Sequence, residues 1–227
     1  MHATAVTSRF TRPGFETTPS GRRVSVAGAV YVAAWVVGLV TGPAAPSATA
    51  SDADIHSFYI DHGPATMVQS LLIHGLAGLA LASLAITVPV ATQASSALRR
   101  VVVGSGLAAA AVSLIQVAFA AAAVHDASSA AASTSAALFN AINLADTVKL
   151  VLLAVFAGAV TVAAARAGIC PRWVRGMTVI LVVLLPFGGA AFIVHTAVLT
   201  AMLYASLPLL LAWAASTAWY IGRRAVH

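Results

Sequence analysis

Apolar runs long enough to cross a bilayer recur along this chain, and that recurrence fixes the class of fold open to it. At 1.5 Å per helical residue, about 20 apolar residues match a hydrocarbon layer ~30 Å thick. Six such runs are present, at 24–41, 65–91, 101–124, 136–165, 177–194 and 199–221. Only 8% of the 227 residues are charged, against about 25% in a water-facing domain. A single apolar core inside a polar shell is therefore excluded. The expected fold is all-α, a polytopic transmembrane bundle of six helices. Residues 1–23 are expected to form a disordered cytoplasmic tail, 24–222 the membrane domain and 223–227 a cytoplasmic C-terminus. The fourth run exceeds what a perpendicular span needs, so its first turns are expected to protrude or to lie in the interface.

The charges order these spans. All eleven Arg fall in segments that six spans place on one side, and all five Asp fall on the other. Positive residues favour the cytoplasmic side, so both termini are expected there, in the cell membrane. The net charge of +6 is then a signal of topology. It does not call for a nucleic-acid partner, and the expected partners are the lipid bilayer and a lipophilic small molecule, with oligomeric state open. Arg22-Arg23, an apolar run and Ala48-Thr49-Ala50 also resemble a cleavable signal peptide. The run from Val24 to Val40 is longer than the 7–15 residues of such a segment, so the first helix is expected to be retained. With a single Cys, Cys170, an internal disulfide and a cysteine-rich metal site are excluded.

Polar groups inside membrane helices carry functional hypotheses by default, and here they gather toward the Asp side. Asp61 and His62 precede helix 2, and Gln116 lies in the third run. Asn140, Asn143, Asp146 and Lys149 lie in the fourth, His195 and Thr196 end the fifth, and Tyr204 enters the sixth. His74 is the deepest, ten residues beyond Pro64 and hence roughly 15 Å along the helix. Asp61, Asp146 and His74 are the candidate acid/base groups. Asn140, Asn143, Lys149, His195, Trp35, Trp213 and Tyr204 are the candidate substrate contacts. Asp61, Asn143, Asp146 and His195 are expected to line one cavity, with His74 its deepest polar contact.

Each candidate has a plainer structural role. Asp146 and Lys149, three residues apart on a helix, suit an ion pair with Lys149 reaching toward the interface. A lone membrane His can bond across helices, and the tryptophans suit an aromatic belt. His74 and His195 as axial haem ligands are disfavoured by their offset depth. Asp61, His62 and His195 lack the tight spacing of a metal site, so no cofactor or metal is expected. Pro186 with Gly188-Gly189 is expected to kink helix 5.

The segments Ala145-Asp146-Thr147-Val148-Lys149-Leu150, Arg166-Ala167-Gly168 and Pro171-Arg172-Trp173-Val174-Arg175, with Ala27-Gly28, Tyr31 and Trp35, resemble a family of small six- or seven-helix actinobacterial membrane proteins. The resemblance covers about two thirds of the chain and implies a helix bundle without implying an activity. Size and helix count also resemble the small integral-membrane terpene cyclases, an analogy of architecture alone. The function expected is acid/base chemistry on a lipophilic, isoprenoid-like substrate. A proton-coupled transporter or a non-catalytic partner subunit are the alternatives. The sole Glu is Glu16 and no GxSxG or HExxH occurs, which disfavours serine and zinc hydrolases.

Overall fold

The computed structural model describes residues 18–223. Residues 1–17 of the expected tail and 224–227 of the expected C-terminus lie outside the described residues. The described chain is all-helical, with six helices long and apolar enough to cross a membrane. This marks a multi-pass membrane protein. We number them α1 (Pro19–Thr41), α2 (Asp52–Ala91), α3 (Ser96–Asp126), α4 (Ala132–Arg166), α5 (Arg172–Val194) and α6 (Ala197–Gly222).

Two boundaries differ from the expectation. α1 starts at Pro19 rather than at Val24, because Thr18 caps it and proline suits the first helical position. The polar stretch ahead of the second apolar run is helical from Asp52. Ser51 accepts a hydrogen bond from the Asp54 amide, and Asp52 and Asp54 sit in the positively polarised first turn. Pro64 lies inside the helix. α5, where a kink is expected, stays helical through Pro186, Gly188 and Gly189. Both glycines are close-contact positions: a Cβ on Gly188 would lie 2.9 Å from the Leu203 Cα, and one on Gly189 3.3 Å from Thr147 backbone.

The helices close into a ring, each packed on its sequence neighbours and α1 on α6. Small residues permit the approach of α1 to α6, where Gly21 meets Gly222 and Gly28 meets Ala218. This contact also puts the start of α1 beside the end of α6, so the described termini share one end of the bundle. That end carries Arg22, Arg23 and Arg223, with an aromatic rim of Trp173, Tyr220 and Trp219, whose ring lies under the Arg223 guanidinium at 3.5 Å. The core near this end is Leu84, Val88, Phe156, Val160 and Trp213. Large apolar side chains such as Val40, Val179 and Val198 are exposed on the outside, as a lipid-facing surface requires.

At the opposite, Asp-bearing end, α2, α3 and α4 outrun the other helices. Ile55 and Tyr59 of α2 pack there with Ala123, Ala127, Ala136 and Phe139, and His56 Nδ1 meets Ser135 Oγ at 3.0 Å. The first turns of α4 thus pack against α2 and α3.

Candidate functional site

The ring leaves a cavity of about 360 Å3 in its Asp-bearing half, lined from all six helices. Its position follows from the packing of α1 and α6. Beyond their contact near Gly28 and Ala218, α1 turns to α2, with Gly38 against Ile73 and Gly42 against Gln69. α6 turns to α5, with Leu203 against Gly188. The cavity lies between the two diverging halves, with the exposed side chains of Leu39 and Tyr204 on its lining.

Its walls are mostly apolar, including Phe58, Phe139, Leu150, Leu185, Phe192 and Leu210. The charged side chains on them form one cluster. Lys149, 2% exposed, forms an ion pair with Asp146 one turn earlier on α4. Its Nζ also donates to Gln116 Oε1 of α3 at 2.8 Å and lies 3.2 Å from His74 Nδ1 of α2. Gln116 is fully buried and donates from Nε2 to the Ile142 carbonyl at 3.1 Å. The Trp35 ring of α1 faces the ammonium at 5.8 Å, within cation–π range. All three ammonium hydrogens therefore have partners on three different helices. This is what permits a cation amid apolar helices, where an unpaired charge is costly.

His74 reaches the ammonium from an unusual backbone. Residues Leu71–Leu76 wind as a π turn within α2, a wide bulge that inserts one residue and resets the face that follows. An ammonium only donates, so Nδ1 accepts and His74 carries its hydrogen on Nε2. One and two turns before it, Ser70 and Thr66 also line the cavity. Their buried hydroxyls have no hydrogen-bond partner.

Of the expected site residues, Asp146, His74, Asn143, Lys149, Trp35 and Tyr204 line this cavity. Four do not. Asp61 is exposed on the part of α2 that projects toward the Asp-bearing end, and Asn140 is exposed on α4. Asn143 and Asp146 thus enter the cavity without Asp61 and His195. His195 is exposed and holds the left-handed conformation (φ 47°) that ends α5 and makes the two-residue link to α6. Trp213 is 3% exposed, packs edge-on against Phe156 and donates from Nε1 to Thr161 Oγ1 at 3.1 Å. It belongs to the core near the Arg-bearing end. Lys149 does not extend to the interface but turns inward, because Gln116 and His74 complete its coordination.

Gln116, Ser70 and Thr66 were not among the expected site residues. The signal for Gln116 was its isolation, as the one amide in a run of Ala, Val, Leu and Ser. The two hydroxyls gave none, since Ser and Thr are common in membrane helices. Among the described residues no three His, Cys, Asp or Glu stand close enough to hold a metal ion. Comparison with protein-family models, with curated proteins and with solved structures finds no match to this chain.

Proposed function

We propose that this protein is a plasma-membrane enzyme that moves a proton to or from the polar end of a lipophilic, isoprenoid-like molecule, with both termini in the cytoplasm. The observation that carries the reading is the placement of His74, Lys149 and Asp146, backed by the buried Gln116, on the wall of a mostly apolar cavity. The apolar walls accept a hydrocarbon body. The hydroxyls of Ser70 and Thr66 and the amide of Asn143 offer hydrogen bonds to a neutral polar end. The charges of Asp146 and Lys149 cancel, so a charged head group gains no net attraction there.

The protonated Nε2 of His74 is the donor in this reading. As Nε2–H passes its proton to a substrate oxygen, Nδ1 takes one from the Lys149 ammonium, which becomes an amine beside the Asp146 carboxylate. Returning a proton from a substrate C–H reverses the sequence, so the protein ends unchanged and the net reaction is an isomerisation or ring opening. An imidazole–ammonium relay is no stronger an acid than the ammonium that feeds it, so it suits a carbonyl or epoxide oxygen only where a neighbouring C–H is lost in concert. Protonating an isolated alkene needs a far stronger donor.

Proton-coupled transport is the second reading, favoured by the cluster's position between helices. Toward the Arg-bearing end, however, the core continues as Leu81, Leu84, Leu153 and Phe156, with no buried charged side chain there among the described residues. The test uses lipophilic molecules co-purified with the protein, identified by mass spectrometry and returned to it in D2O. The enzyme reading expects an isomer of the lipophile, carrying deuterium on carbon where the step reverses, with wild type and at least a hundredfold less of both with His74→Gln. Binding with neither isomerisation nor deuterium exchange refutes it and leaves transport or a binding subunit.

A further inference from the structure

A second concavity lies outside the site above, at the Arg-bearing end, where α1 and α2 leave a groove of about 750 Å3 between them. Val26, Ala27 and Val30 of α1 and Leu76, Leu79 and Ala80 of α2 form its apolar length. Val26, Leu76 and Leu79 are well exposed along it. Arg22 and Arg23 close its end, both exposed. Among the described residues neither has a carboxylate partner, and every described Asp lies in the other half of the chain's topology.

We propose that this groove binds an anionic phospholipid, with the phosphate on Arg22 and Arg23 and one acyl chain along α1 and α2. Depth supports the assignment. Gly21 packs against Gly222, so the Arg pair stands level with Trp219 and Arg223, where an aromatic rim marks the membrane interface. From Arg22 the helix runs eight residues to Val30, about 12 Å, into the hydrocarbon layer. A basic pair at the head-group level above an apolar trough presents charge and hydrophobicity in the order a phospholipid does. Arginine adds a planar fork that matches phosphate oxygens in pairs. Charge also decides against the chain's own N-terminal segment as the occupant, because residues 1–17 carry two Arg and one Glu and would be repelled.

The test is lipid retention by the full chain in detergent, read by native mass spectrometry. Equal concentrations of phosphatidylglycerol, phosphatidylcholine and inorganic phosphate are compared at constant ionic strength. One phosphatidylglycerol should remain bound at least tenfold more than phosphatidylcholine, and phosphate alone should not be retained. Arg22→Gln with Arg23→Gln should remove the preference. Leu79→Trp, which fills the trough and leaves both Arg in place, should lower retention of the anionic lipid by a similar factor. Equal retention of the two lipids overturns the proposal, as does binding of phosphate as strong as binding of the lipid, or indifference to Leu79→Trp. A variant lacking residues 2–17 should bind the lipid as the full chain does. Retention seen only after that deletion means the N-terminal segment fills the groove, and the proposal fails.

Discussion

Replacing Asp146 by Asn keeps shape and removes one charge, and the structure sets the size of the effect. Lys149 is 2% exposed and its other two partners, Gln116 and His74, are neutral acceptors. The variant leaves the ammonium without its counter-ion, and breaking a buried pair in this way costs about 3–5 kcal/mol. Asp146 itself is 20% exposed at its side chain, so water relieves part of the opposite defect. Lys149→Met should therefore be milder, by roughly 1–2 kcal/mol, since the stranded carboxylate can hydrate. The double variant removes both charges and strands chiefly the buried Gln116 oxygen, a loss of about 1–3 kcal/mol. Unfolding in mixed detergent micelles is the assay. The expected order of stability is wild type, then the double variant, then Asp146→Asn, with about 2 kcal/mol between the last two. A double variant no more stable than Asp146→Asn would refute the argument, because the two charges would then not be coupled. A loss below 1 kcal/mol for Asp146→Asn would refute it too, since that is the range of exposed pairs. The deuterium assay then separates roles. A double variant that regains both stability and activity makes the pair structural, whereas one that regains stability alone keeps it in the chemistry.

Ser70→Val removes a buried hydroxyl that has no partner and should stabilise the apo protein by about 1 kcal/mol while weakening retention of the co-purified lipophile. A stability loss would mean the hydroxyl is already satisfied. Gly28→Leu drives a side chain into Ala218 across the α1–α6 contact and should cost about 3 kcal/mol or more, whereas Gly104→Ala, with open space around it, should be neutral or stabilising. A thermal-unfolding series checks both. For topology, Cys placed at Ser129 should react with an impermeant maleimide from outside whole cells, and Cys170 only after permeabilisation. Burial pushes the Cys170 thiol up from its ordinary value. Its labelling should therefore quicken as pH rises, and the reverse sidedness would invert the orientation.

The spans were legible because membrane helices satisfy their backbone internally, so length and hydropathy alone reveal them. Boundaries were harder where polar residues are helical. Asp52 to Gly63 reads as a loop by hydropathy, although Ser51 with Asp54 three residues on is a helix-start signal. Convergence was legible in part, since Asp146, Asn143 and His74 meet one cavity. What depth cannot give is direction around a helix. Asp61 and His195 lie toward the Asp-bearing end, yet one is on the projecting part of α2 and the other in the α5–α6 link. The π turn at Leu71–Leu76 compounds this, because extrapolation at 3.6 residues per turn across it misassigns every face beyond. Trp213 was misplaced for a related reason: its partner Thr161 lies on a distant helix, and nothing local announces it.

The polar cluster is not explained by the stability of the bundle. A buried ion pair is commonly no better for folding than apolar residues of the same volume, and often worse by 1–4 kcal/mol. Leu and Met were available at these positions, as the rest of α4 shows with Leu150, Leu152 and Leu153. A requirement for helix specificity is also an incomplete account, because Gly28 with Ala218 and Thr147 with the Gly189 carbonyl already fix two other helix pairs without charge. Specificity of packing would moreover place the pair in a closed core. Here the same residues line an open cavity, with two unpartnered hydroxyls on the facing helix. Groups left unsatisfied beside groups arranged at a cost to folding are the combination expected where a ligand completes the hydrogen bonding. On the proposed function, the neutral sum of the Asp146–Lys149 pair favours an uncharged polar end, so a fatty alcohol or an isoprenoid epoxide should compete for the cavity and a fatty carboxylate of equal length should not.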